Sequence, residues 1–222
     1  MTVPAWLRPM VDAAKDLSTH ERLAMPPPVD GSARNSAVLL LFGESDAQPD
    51  VLLTERAAGL RSHAGQVSFP GGTIDPDDTG PEGAALREGA EETGLDPTGV
   101  DVLATLPPLW IPVTNYAVSP VLSWWRRPSP VRVVDPLEVA SVHRVPLDEL
   151  LDPAHRFQVR HPSGHTGPAF RVRNLLVWGF TAGVLARLFE IAGMDRPWDR
   201  DRVEELPSWR AATPRTEGPP AA

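Results

Sequence analysis

The sequence predicts a mixed domain of the α/β (α+β) class, and three observations carry that expectation. Short aliphatic runs such as SAVLLLFG (36–43) and DVLLTERA (50–57) read as strands. Two longer stretches carry helix punctuation instead, from Pro81 to Gly94 and from Asn174 to Gly193. A chain of 222 residues with 41% hydrophobic content can bury one core of its own.

Taken in order, residues 4–16 place Trp6, Leu7, Met10, Val11 and Ala14 at helical spacing, which predicts a short amphipathic helix. AMPPPVDGSARN breaks it, and the two strand-like runs that follow predict a hairpin joined by the polar loop ESDAQP. QVSFPGG predicts a short strand ending in a turn, because paired glycines permit positive φ and close backbone approach. DVLATLPPLW, NYAVSPVLSWW and VASVHRV predict further strands, and PLDELL a helical turn opening at Pro146. RFQVR and AFRVR flank the loop HPSGHTGP, whose His161 and His165 read as turn residues rather than metal ligands. NLLVWGFTAGVLARLFEIAG predicts one long apolar helix capped by Asn174 and ended by Gly193. The expected division is a packed N-terminal helix and linker over 1–30, one domain over 31–206 and a loose tail over 207–222.

Charge and composition exclude several functions. Lys and Arg number 21 against 29 for Asp and Glu, a net charge of −8, which argues against a broad grip on nucleic acid. With no cysteine there is no disulfide framework, thiolate nucleophile or cysteine zinc site. No run reaches the ~18 apolar residues that span a bilayer, so no membrane partner and a cytoplasmic location are expected.

The chemistry concentrates in REGAEE. Within a helix over 81–93, Glu88, Glu91 and Glu92 stand at i, i+3 and i+4 and share one face. Like charges at that spacing repel, and acids in a last turn oppose the helix dipole. Read alone, the cluster also fits a solvated charged face. A bound cation would reverse both penalties, and oxygen donors without Cys or His favour Mg²⁺ or Mn²⁺. Arg87, four residues before Glu91, is placed to orient these carboxylates.

The stretch from Gly72 to Leu95 resembles the Nudix box, G-x5-E-x7-R-E-U-x-E-E-x-G-U, with Arg87, Glu88, Glu91, Glu92, Gly94 and Leu95 in register. It departs in two places. Gly89 replaces a better helix former, at a cost of up to ~1 kcal/mol, and fifteen steps rather than fourteen separate Gly72 from Arg87, so the loop acid becomes Asp77 or Asp78. Upstream, LLTERAAGLRSHAGQVSFPGG (52–72) resembles the signature LLTxRs…LRxHxGqvxFPGG of the coenzyme A pyrophosphatase-like branch. Together with later segments, the likeness spans about residues 36–190.

The resemblance implies a mixed sheet sandwiched between helices and hydrolysis of a diphosphate. It implies Mg²⁺ or Mn²⁺ on Glu88 and Glu92, with Glu91 as third ligand or partner of Arg87. Arg56, Arg61, His63 and Gln66, with Gly71 and Gly72, are the implied substrate contacts, and Glu138 is the candidate proton acceptor. The implied substrate is coenzyme A or a thioester, a small-molecule nucleotide diphosphate. Another dinucleotide such as ADP-ribose or NADH, or a catalytically weak sensor domain, remain the alternatives, and a homodimer stays open. His143 reads as an ordinary strand histidine, and Trp110, Trp124, Trp125 and Trp178 as packing residues.

Overall fold

A computed structural model describes residues 3–17, 26–60 and 63–207. β1 (Arg34–Ser45) and β2 (Gln48–Arg56) form the expected hairpin, but around a two-residue turn rather than a six-residue loop. Asp46 and Ala47 take φ of 49° and 60°, the primed geometry that matches strand twist. The expected short strand is β3 (Val67–Ser68) on β2, but the expected turn at the paired glycines is instead a further strand, β4 (Gly71–Thr73) on β1. Neither Gly71 nor Gly72 has a positive φ; the need there is for close approach. A Cβ on Gly71 would lie 2.4 Å from the Ala37 carbonyl oxygen.

α2 (Pro81–Thr93), β5 (Val100–Thr105), β6 (Leu109–Ile111), β7 (Tyr116–Trp125) and β8 (Val139–Pro146) follow, then α3 (Leu147–Leu151). The main sheet runs β3-β2-β1-β7-β5, with β4 beside β1, β6 beside β7 and β8 beside β2. β1 and β7 are parallel and the remaining pairs antiparallel. Both faces of β1 are covered, which explains its nearly continuous apolar run. Ala37, Leu39 and Leu41 point to Ala84 and Ala85 of α2. Leu40 and Phe42 join the cluster of α1 (Arg8–Leu17) and α4 (Gly179–Ile191).

A second sheet, β11 (Leu175–Val177), β10 (Thr166–Val172), β9 (Arg156–Arg160) and β12 (Val203–Glu205), closes the far side. The long helix expected from Asn174 is therefore divided. Leu175 and Val177 face the main core while Leu176 faces the outer cluster of Phe157, Val159 and Ala169, an alternation only a strand satisfies. Gly179, at φ 64°, then turns the chain into α4, with Trp178 rather than Asn174 at the cap position. Leu7, Met10, Val11 and Ala14 are buried against the same core as α4. Apart from Pro207, the predicted tail lies outside the described residues, as does Arg61. No described helix is long and apolar enough to cross a membrane.

Candidate active site

α2 begins with Pro81 in its first turn and ends at Gly94, whose αL backbone (φ 69°) lets its N–H donate to the Ala90 carbonyl at 2.9 Å. Gly89 lies on the face that meets β1. A Cβ there would come within 2.8 Å of Leu39 Cδ2 and 3.4 Å of Leu95 Cδ2. The glycine that costs helix propensity thus lets α2 settle on the sheet, which turns Glu88 and Glu92 toward β4.

Glu92 is 7% exposed, and its Oε2 has no hydrogen-bond partner. Burial pushes its carboxyl up to about 8, against the pull of the Arg56 guanidinium and the Gly71 amide, with the Glu88 and Glu138 charges adding to the rise. Glu88 is half-buried and also raised, first by desolvation, then by the charges of Glu91 and Glu138, while Arg87 opposes the shift. Glu88 fills the space that Gly72 leaves open: a Cβ on Gly72 would lie 2.2 Å from Glu88 Oε1. Glu138, exposed at the foot of β8, is close enough for its charge to bear on both carboxyls.

Arg87 is the hub of this cluster. Its Nε donates to Asp78 Oδ1, and Nη2 to Asp78 Oδ2 and to the Thr73 carbonyl, each at 3.0 Å. Nη1 donates to Glu88 Oε1 and Glu91 Oε2, both at 3.0 Å. The bidentate pair raises the guanidinium pKa and lowers that of Asp78. Of the two loop acids the spacing left open, Asp78 is the one held in the network, and it anchors Arg87. The carboxylate of Glu91 is 60% exposed and turned to Arg87.

The upstream segment reaches the same place. The β2–β8 register shifts between Glu55 and Arg56, a bulge of the kind that re-aims a side chain. Arg56 there acts electrostatically on Glu92 and His63, and its buried Nε has no acceptor. The Ala57 amide donates to the Glu138 carbonyl at 2.9 Å, tying the bulge to the foot of β8. His63, at φ 57°, pairs Nδ1 with Gln66 Oε1 at 2.9 Å, and the Arg56 amide donates to the Gln66 carbonyl at 2.9 Å. Burial, seconded by the Arg56 charge, lowers the imidazole pKa against the Gln66 bond that raises it.

A divalent cation fits this donor set. The unpartnered Glu92 Oε2 is a buried carboxyl oxygen without a hydrogen-bond donor, the arrangement a hard cation satisfies. Among the described residues no three His, Cys, Asp or Glu side chains converge to hold an ion unaided. Glu88 and Glu92 would therefore share the cation with phosphate and water oxygens, as Mg²⁺ sites commonly do.

Two features escaped the sequence reading. One is a strap after β7, where the Arg132 amide donates to the Thr93 carbonyl at 2.9 Å and the Val134 amide to the Glu92 carbonyl at 3.4 Å. The other is a small network on β2 and β8, in which Ser141 Oγ donates to Glu55 Oε2 at 3.1 Å and lies 2.7 Å from His143 Nε2. Leu53, the register partner of His143, and Val145, two residues along β8, point into the α1 and α4 core, on the opposite sheet face from α2. His161 and His165 close a turn through a 2.8 Å backbone bond.

The NUDIX domain family model matches residues 32–163. An uncharacterized Nudix hydrolase, NudL, of Citrobacter koseri is 39% identical over 179 residues, covering 73% of this chain and 86% of that protein. NudL of Escherichia coli K12 is 39% identical over 158 residues, covering 70% and 81%. A Nudix hydrolase of M. smegmatis, RenU, shares the fold with a TM-score of 0.53 at 22% identity, covering 76% of this chain and 91% of its own. With its arginine and glutamates gathered on the box helix, the chain belongs to the Nudix family of hydrolases, which use divalent cations to cleave nucleotide diphosphates.

Proposed function

We propose that this chain hydrolyses coenzyme A or its thioesters to adenosine 3′,5′-bisphosphate and 4′-phosphopantetheine, with Mg²⁺ or Mn²⁺. The observation that carries the reading is that Arg56 of the upstream signature acts electrostatically on Glu92 of the box helix and has a buried Nε without an acceptor. A guanidinium so placed suits a bidentate phosphate contact.

Bound cations would neutralise the diphosphate and acidify the attacking water. The chain's own residues do the rest. Glu88 and Glu92 would hold the cations, with Glu91 a further ligand or the partner that keeps Arg87 in place. Arg87, clamped by Asp78 and Thr73, fixes the rotamer of Glu88. Gly71 and Gly72 let the backbone and Glu88 close on each other. Glu138 takes the proton of the attacking water from an exposed position open to solvent exchange. His63, Gln66 and Arg61 shape the approach of the attached group. The two departures that would favour a catalytically weak sensor have local explanations: Gly89 packs on Leu39, and the lengthened loop delivers Asp78 to Arg87. A cytoplasmic location completes the reading.

Purified protein with Mg²⁺ or Mn²⁺ is assayed on coenzyme A, ADP-ribose and NADH, with products separated chromatographically. Fastest release of adenosine 3′,5′-bisphosphate from coenzyme A is expected. Cleavage of only another dinucleotide would remove the branch assignment, and binding without cleavage would favour the sensor.

A further inference from the structure

The charge pairing of the chain isolates two arginines. Among the described residues every arginine has a hydrogen-bonded acceptor except Arg56, Arg132 and Arg200, and Arg200 lies against the Trp198 ring, 5.5 Å from its centroid. Most of the described arginines are thus paired within the chain. Arg56 and Arg132 both stand at the box helix. Arg56 acts on Glu92 from β2. Arg132 is exposed on the strap, its amide bonded to the Thr93 carbonyl and its Cγ 3.9 Å from where a Cβ on Gly94 would lie.

The strap holds this position firmly. Its Val134 amide reaches the Glu92 carbonyl, and the Asp135 carboxylate and carbonyl accept from Leu137, Glu138 and Val139. The same segment thus presents Arg132 at the helix end and Glu138 at the carboxylate cluster. Glu91 is the exposed acid of that helix turn, and it is already bonded to Arg87. Arg132 therefore keeps its donors for an anion from outside.

We propose that Arg132 binds a phosphate monoester of the substrate, separate from the diphosphate that is cleaved. The inference rests on the coenzyme A reading and deepens it: coenzyme A carries a 3′-phosphate on its ribose, whereas ADP-ribose and NADH carry no such group. A planar guanidinium matches a phosphate dianion in two parallel hydrogen bonds, which an ammonium reproduces only in part. Arg56 and the cations engage the diphosphate, and Arg132 reads the group that marks this substrate class.

The test compares two pairs that differ by one monoester, coenzyme A with 3′-dephospho-coenzyme A and NADPH with NADH, on wild type, Arg132→Ala and Arg132→Lys. Wild type is expected to prefer the phosphorylated member of at least one pair. Arg132→Ala should lose on the order of ten- to a hundredfold in kcat/KM on that member, mainly through KM, and stay within about twofold on the other. Arg132→Lys should recover part of the loss. A merely structural cation at the helix end would lower Tm and both members of a pair alike, which overturns the proposal. So does a wild type with no preference in either pair. If coenzyme A is not cut but NADPH is preferred over NADH and Arg132→Ala abolishes that preference, the coenzyme A reading fails while the monoester site stands.

Discussion

In the metal-free protein, burial holds the Glu92 carboxyl neutral up to about pH 8, whereas its ordinary value is 4.5. Between those values the folded chain binds a proton that the unfolded chain has lost, so stability falls as pH rises from about 4.5 to about 8 and then levels. Glu92→Gln mimics the neutral form and should flatten that slope, by on the order of a few kcal/mol, in urea titrations with chelator at pH 5, 6.5 and 8. The same variant should lose nearly all turnover, and Mg²⁺ should raise its Tm less than that of wild type. Arg87 makes the second prediction. A lysine cannot fork onto Asp78 while also reaching Thr73, Glu88 and Glu91. Arg87→Lys should lower kcat at least about tenfold with circular dichroism unchanged; full activity would remove Arg87 from its positioning role. The glutamate face and Arg87 were legible in the sequence because helical spacing alone places them together. The choice of Asp78 over Asp77 was not, because it depends on how a lengthened loop folds back. Nor was the isolation of Arg132, which emerges only once most of the described arginines have found their acceptors in the folded chain.

The element that organises the site is α2, and its tolerance follows from what each glycine meets. Gly89→Ala gains up to ~1 kcal/mol of helix propensity but sets a methyl 2.8 Å from the buried Leu39 Cδ2. The larger Gly89→Val should cost about 1–3 kcal/mol by overpacking, measured by thermal and urea unfolding, and lower turnover as the helix lifts from β1. Gly72→Ala intrudes instead on the Glu88 carboxylate. It should cut kcat sharply with a smaller loss of stability than Gly89→Val; the reverse order would mean that Gly72 serves the strand and not the site. Boundaries followed the same logic of local against distant cause. Pro81 and Gly94 mark α2 in the sequence because their backbone preferences are local. The segment 174–193 misled because an apolar run buried on both faces has no period to read, and only pairing with β10 makes its start a strand. β12, with Glu204 and Glu205 in a charged segment, becomes a strand through its pairing with β9.

Across the molecule, the main sheet separates stability from catalysis by face. Leu7, Met10 and Val11 of the N-terminal segment, with Leu185, Leu188 and Phe189 of α4, fill the side away from α2. Ala37, Leu39 and Leu41 support the helix that carries the glutamates. Trp6 adds a hydrogen bond to Glu44 at 2.7 Å and an edge-on contact with Trp124, so α1 is tied to the end of β1 distant from β4. Truncating a fully buried leucine costs about 2–5 kcal/mol on either face, but the consequences should diverge. Leu7→Ala should lower the urea midpoint while kcat and KM of the folded enzyme stay within about twofold, because close-packed layers absorb the cavity on the far side of β1. Leu39→Ala should lower the midpoint by a similar amount and also reduce kcat, because the cavity opens beneath Gly89 and lets α2 shift. Both variants are assayed well below their midpoints, with cation in excess, so that unfolded protein does not enter the comparison. If Leu7→Ala reduced kcat as much as Leu39→Ala does, the two faces would be mechanically coupled and the N-terminal helix would belong to the catalytic apparatus.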